Sequence, residues 1–278
     1  MKQYAFRILN VFAREGRLTG NPLAVFEDAT GIDDATMQAL ARQFNLSETT
    51  FLLPSEKATA RVRIFTPSYE MPFAGHPTLG TAHVVRDLKA AGDSLTLEMK
   101  AGIIPVTAKG DRWTLKANPP KSRSEPLGNP ELAEILGIDA GDIAPGVLRV
   151  SIGREQLLVP LKSVEAVRRA SPRPDIFQRL ASPDGPGQAY LFADLGDRVE
   201  SRFFFTNGAA VLEDPATGSA CANLGGWFMA TKPGSDVQRV VSQGEAVARP
   251  STLHLTVKGG AIHVGGDVIE LARGTLAL

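Results

Sequence analysis

The chain has one cysteine, and that scarcity alone removes several classes of protein. A lone thiol makes no intramolecular disulfide, and among four histidines no paired-His or Cys-rich metal spacing occurs. The glycine-rich dinucleotide fingerprint and the P-loop pattern are both missing, which argues against nicotinamide and nucleoside triphosphate cofactors. No GxSxG elbow marks a hydrolase of that type. Charge of one sign is also lacking: 30 basic and 30 acidic residues cancel, so no global field recruits nucleic acid or an anionic membrane. No apolar run is long enough to span a bilayer. At the start, Arg7 and Arg14 interrupt what a signal peptide needs as an unbroken apolar core. The expectation is a cytoplasmic protein with no metal, no cofactor, no nucleic-acid partner and no membrane.

What the sequence does contain is alternation. "YAFRILNVFA", "NPLAVFED", "TTFLLP", "ARVRIFTP", "SLTLEMK", "GIIPVTAKG" and "RWTLKAN" read as short strands. Between them, "DDATMQALARQF" puts Met37, Leu40, Ala41 and Phe44 on one helical stripe behind a cap at Asp33 or Asp34. A second helix starts near His76 and is small or apolar nearly all round, so it should be buried on every side. The stretch 118–130, "NPPKSRSEPLGNP", reads as a linker. Beyond it come a short helix with Pro130 at its first position, strands in "GVLRVSI" and "EQLLVPL", and helices near 163–170 and 174–181. Strands in "QAYLFADL" and "RVESRFFFTN", a small-residue helix from about 217, and separate closing strands in "TLHLTV", "AIHVGG", "VIELA" and "GTLAL" complete the reading.

Two stretches align at a separation of 143, "EMPFAGHPTLGTA" from residue 70 and "EDPATGSACANLGG" from residue 213. Glu70 matches Glu213, Pro72 matches Pro215, Gly75 matches Gly218 and His76 matches Ser219. A period that long is no solenoid repeat; it reads as one half-domain made twice. The fold expected is α+β, two pseudo-symmetric half-domains, each a barrel-like, mainly antiparallel sheet wrapped around a central helix. Residues 1–118 form the first half and 119–278 the second, with the strand near 268–278 open to either. The small residues are then accounted for, because glycine costs about 1 kcal/mol in a helix and is offset only where strands must come close.

A helix start presents unpaired N–H groups and a partial positive charge, and so attracts anions. Two such starts, at Gly75 and Gly218, converging on one cleft would grip a small carboxylate without any Arg or Lys. The polar side chains there are His76, Asp214 and Ser219. Each has an ordinary alternative: Asp214 as a helix cap, Ser219 bonded to its own backbone, His76 as a turn residue. His83 reads as a core histidine and Cys221 as buried filler. Glu48, in "NLSETTFLLP", has no packing reason to sit between an apolar helix and an apolar strand. Desolvation there would suit it to proton transfer. Asn21, in "TGNPLAVF", lies in a turn feeding a strand that walls the same cleft.

"GNPLAVF", "NLSETTFLLP", "VRIFTPSYEMPFAGHPTLGTA", "SRFFF…EDPATGSA", "QGEAVARPS" and "RGTLAL" together resemble the phenazine-biosynthesis PhzF-like family, in that family's order and over essentially the whole chain. The resemblance implies a diaminopimelate-epimerase-like fold and cofactor-independent isomerisation of the trans-2,3-dihydro-3-hydroxyanthranilate type. It places the proton-shuttling glutamate on Glu48 and the other active-site positions on His76, Asp214 and Ser219, and it makes a homodimer the expected state. Relatives that racemise amino acids use a Cys pair at the two glycine turns, which this chain lacks. The alternatives are an epimerase or racemase of a small amino or hydroxy acid, and a non-catalytic binding protein for a small acid.

Overall fold

The computed structural model describes residues 1–183 and 185–278. They form two compact units, Met1–Lys116 with Gly265–Leu278, and Ala117–Val264. The last strand, open to either half on sequence, therefore belongs to the first.

In the first unit the order is β1 (Gln3–Ala13), β2 (Asn21–Phe26), α1 (Asp34–Phe44), β3 (Glu48–Leu53), β4 (Ala60–Phe65), β5 (Glu70–Met71), α2 (Gly75–Lys89), β6 (Ser94–Met99), β7 (Gly102–Lys109) and β8 (Arg112–Lys116). The second unit runs β9 (Lys121–Ser124), α3 (Asn129–Leu136), β10 (Leu148–Ser151), β11 (Glu155–Pro160), α4 (Val164–Arg169), α5 (Pro174–Phe177), β12 (Gln188–Asp194), β13 (Arg198–Asn207), β14 (Ala210–Asp214), α6 (Gly218–Thr231), β15 (Val237–Gln243) and β16 (Ser251–Lys258). It ends in the first residues of β17 (Ala261–Ala277).

Strand pairing demonstrates the duplication. β1–β2 is antiparallel, β2–β3 parallel, β3–β4 and β4–β5 antiparallel, β4–β6 parallel and β6–β7 antiparallel. The second unit repeats the series as β10–β11, β11–β12, β12–β13, β13–β14, β13–β15 and β15–β16, with the same orientation at each step. The β1–β17 ladder of the first unit has its counterpart in β9–β10 of the second.

Each unit wraps its sheet around one helix. α2 is buried along most of its length, against β1, β2, β3, β4, β6 and β8. α6 is buried from Ala220 to Phe228, against β9, β10, β11, β15 and β16. The close approach is visible at the glycines. A Cβ on Gly80 would stand 2.6 Å from Leu23 Cδ2, and one on Gly226 would stand 2.7 Å from Pro120 Cβ and 2.8 Å from Val150 Cγ1. Gly226→Ala is therefore expected to destabilise by about 1–3 kcal/mol through overpacking. Gly92→Ala, where a Cβ meets nothing within 4 Å, should be close to neutral in the same urea titration.

Outside each sheet lies a second layer. α1 buries Met37, Leu40 and Ala41 in a cluster with Phe26, Phe51 and Phe65, and Asp33 caps it by accepting from the Thr36 amide at 2.8 Å. In the second unit α3, α4 and α5 cover β11 and β12 through Leu132, Val167, Phe177 and their neighbours.

Three sequence expectations need correction. The linker stretch 118–130 contains strand β9, whose exposed, charged residues pair with β10. The three closing pieces "AIHVGG", "VIELA" and "GTLAL" are one strand, β17 (Ala261–Ala277), which from Asp267 onward pairs with β1 through two register shifts. Pro130 is the second residue of α3, behind a Gly128 start where Glu131 accepts from the Gly128 amide.

Candidate functional site

Glu48 is the first residue of β3, and across the parallel ladder it registers with Leu23. Two residues earlier on the neighbouring strand, Asn21 opens β2 and is fully buried. The turn before it needs Gly20, whose φ is +78° and whose Cβ would fall 2.6 Å from the Val11 carbonyl oxygen. His76, the second residue of α2, closes this corner of the first unit, so the structure brings Asn21, Glu48, Gly75 and His76 to one end of β2, β3 and α2.

The protonation of His76 follows from its contacts. The ring is only 6 % exposed, and burial lowers its pKa from 6.5 to about 3, so it is neutral. One ring nitrogen bonds to the Pro22 backbone. Proline has no N–H, so the bond runs from imidazole N–H to the Pro22 carbonyl. The nitrogen facing Glu48 is Nε2, 3.4 Å from Glu48 Oε2, and it has no hydrogen-bond partner. It therefore carries a lone pair. At this distance a charged histidine would make an ion pair, but a neutral one does not. A proton on Glu48 turns the contact into a hydrogen bond, whereas an ionised Glu48 sets two acceptors face to face. The contact can therefore take part in moving a proton to and from Glu48.

In the second unit Ser219 occupies the matching position, the second residue of α6. Its hydroxyl accepts from Gln156 Nε2 at 3.2 Å. The orientation of that amide is fixed from the backbone inward. The Arg154 carbonyl can only accept, so it takes a bond from Asn223 Nδ2, which also donates to Gln156 Oε1 at 2.8 Å. Gln156 must then present its NH₂ to Gln188 and to Ser219. Ser219 Oγ receives one hydrogen bond and keeps its own proton to donate.

Asp214 ends β14, and Thr217, not Asp214, is the N-cap residue of α6. The Thr217 side chain makes no capping bond to its helix; its hydroxyl lies 2.5 Å from Asp214 Oδ2. Ala74, the N-cap of α2, likewise supplies no side-chain cap. Neither helix start is closed by its own N-cap side chain, as an anion-binding start requires.

The two aligned acids, Glu70 and Glu213, do other work. Glu70 accepts a two-pronged bond from Arg63, both distances 2.8 Å, and Glu213 does so from Arg202 at 3.0 and 2.6 Å. Each arginine also lies over a phenylalanine two residues on, Phe65 or Phe204. These forks pin the short β5 and β14 strands from which the chain enters α2 and α6. Cys221 is fully buried, and burial pushes its thiol up, as befits filler and not a nucleophile. His83 is partly buried and accepts from Trp113 Nε1 at 3.4 Å. No helix among the described residues is long and apolar enough to cross a membrane.

A model of the family described as phenazine biosynthesis-like protein matches residues 9–272. The chain belongs to this family. It is 38% identical to an uncharacterized isomerase of Pasteurella multocida, over 98% of this chain and 94% of the relative. It is 34% identical to the trans-2,3-dihydro-3-hydroxyanthranilate isomerase of Pseudomonas aeruginosa, with 98% of each covered. Among solved structures, a Pseudomonas aeruginosa protein described as a predicted epimerase matches with TM-score 0.83 and 33% identity over 99% of both chains. A PhzF-family protein of Bacillus anthracis matches with TM-score 0.87 over all of both chains, and at 24% identity it speaks for the fold alone. The two-unit architecture is thus that of the phenazine biosynthesis-like family.

Proposed function

We propose that this isomerase shifts a proton on a small cyclic carboxylate, of the trans-2,3-dihydro-3-hydroxyanthranilate type, without a cofactor. The observation that carries the reading is the buried Glu48–His76 contact, a carboxyl group 3.4 Å from a neutral imidazole nitrogen. Glu48 takes a proton from one carbon and returns it at a conjugated position, so the substrate loses and gains no atoms. General acid–base transfer of this kind contributes about 10²–10⁴ in rate. His76 and Asp214 hold the substrate's hydroxyl or amino group, and Ser219 donates to it. The helix-start amides at Gly75, Gly218 and Ser219 take the anionic oxygen, with Asn21 beside them. The relatives named as isomerases support the reaction class.

Incubation of the protein in D₂O with trans-2,3-dihydro-3-hydroxyanthranilate should yield its double-bond isomer, with carbon-bound deuterium to the extent that the proton on Glu48 exchanges with solvent before its return, seen by mass spectrometry and NMR. Recovery of the acid unchanged and unlabelled at high protein concentration would sink the reading and leave a binding role. The 33% identical structure described as a predicted epimerase favours one second reading. Label with inverted configuration at the same carbon, and no shift of the double bond, would assign the protein to epimerisation.

A further inference from the structure

Gln243 is 1 % exposed and lies at the end of β15, 29 residues beyond Asp214 in sequence. Its amide orientation is fixed by two backbone groups that each have only one polarity. The Asp214 carbonyl can only accept, and it takes Gln243 Nε2 at 2.8 Å. The Thr217 amide can only donate, and it gives to Gln243 Oε1 at 3.3 Å. With the amide so set, Nε2 also donates to Thr217 Oγ1 at 3.0 Å. A hydroxyl has one proton, and here the oxygen is already taken as an acceptor on the Gln243 side. The proton must therefore point to Asp214 Oδ2, 2.5 Å away. The result is a one-way relay, from the Gln243 amide through the Thr217 hydroxyl to the Asp214 carboxylate.

We infer that Gln243 and Thr217 are positioning residues for Asp214: they hold its carboxylate in one rotamer and keep it an acceptor for a substrate hydroxyl or amino group. The inference rests on the reading that Asp214 binds substrate. It also explains why a threonine stands at the N-cap of α6 and leaves its own helix uncapped. A hydrogen bond given to the charged form stabilises that form, and bonds to charged groups are the stronger class.

Thr217→Val keeps the branched shape and removes the hydroxyl, and Gln243 retains the Asp214 carbonyl as a partner. Thr217→Ser keeps the hydroxyl. The carboxyl ¹³C titration of Asp214, assigned by its disappearance in Asp214→Asn, should move up by about one pH unit in Thr217→Val and stay in place in Thr217→Ser. With trans-2,3-dihydro-3-hydroxyanthranilate as substrate, Thr217→Val should raise KM about tenfold with a smaller change in kcat, and Thr217→Ser should restore it. An unmoved titration in Thr217→Val, or equal damage in Thr217→Ser, overturns the relay. Wild-type protein that fails to turn over this acid overturns the proposed reaction, while the titration still decides the relay.

Discussion

Replacing Glu48 by Gln is expected to lower turnover by about 10²–10⁴ while ligand affinity stays within about tenfold. The substitution copies the shape of a protonated glutamate. Its amide NH₂ can donate to His76 Nε2 across the same 3.4 Å gap, so the buried contact survives and the unit should fold as before. What disappears is the ability to take up a proton and release it. Asp214→Asn is different in kind. It keeps the Thr217 contact in weakened form but removes the anion, so binding and turnover should fall together. Stopped-assay kinetics beside ligand titration separate the two. Near-normal turnover in Glu48→Gln, with turnover alone lost in Asp214→Asn, would exchange the roles and discard the mechanism.

His76 should make the protein acid-sensitive in a defined window. In the unfolded chain its imidazole takes up a proton near 6.5, whereas in the folded protein burial holds it neutral down to about 3. The unfolded state therefore binds more protons between those values, and stability falls as the pH is lowered through them. Above 6.5 the contribution is complete. Each pH unit within the window costs about 1.4 kcal/mol from this one group. In urea unfolding at a series of pH values, the advantage of wild type over His76→Asn should shrink at that slope from pH 6.5 downward. A constant difference across the window would mean that the buried ring carries a proton and that its contact with Glu48 is an ion pair.

Much of this was legible in the sequence because small residues and alternation are local signals. The 143-residue offset exposed the duplication, and the apolar-all-round character of α2 and α6 exposed the enclosed helices. Glu48 stood out because a carboxylate between two apolar elements is anomalous. The arginine forks were not legible. Arg63 lies 7 residues before Glu70, but Arg202 lies 11 before Glu213, because the β13–β14 hairpin is longer, so the offset that aligns the acids misaligns their partners. Strand β9 was hidden because all four of its residues are exposed and polar, and only the β10 ladder makes it a strand. β15 was missed for a related reason: "VQRVVSQ" buries only Val237, Val241 and Gln243. The Gln243–Thr217–Asp214 relay joins residues 29 apart, and nothing local to Gln243 distinguishes it from a surface amide.

The course of β17 also has a consequence for how the protein is made. Its first residues complete the second unit, and its remainder forms the ladder with β1 from Gln3↔Ala277 to Ala13↔Asp267. Emerging from the ribosome, residues 1–116 cannot close their sheet, because their missing strand is translated only after the whole of Ala117–Val264. The second unit, contiguous from Ala117 to Val264, has all its strands available sooner. The half that is synthesised first is thus the half that finishes folding last, and β1, paired with β2 on one edge, keeps its other edge open through the synthesis of roughly 150 residues, a delay in which long-range pairing is slow and open strands are prone to aggregate.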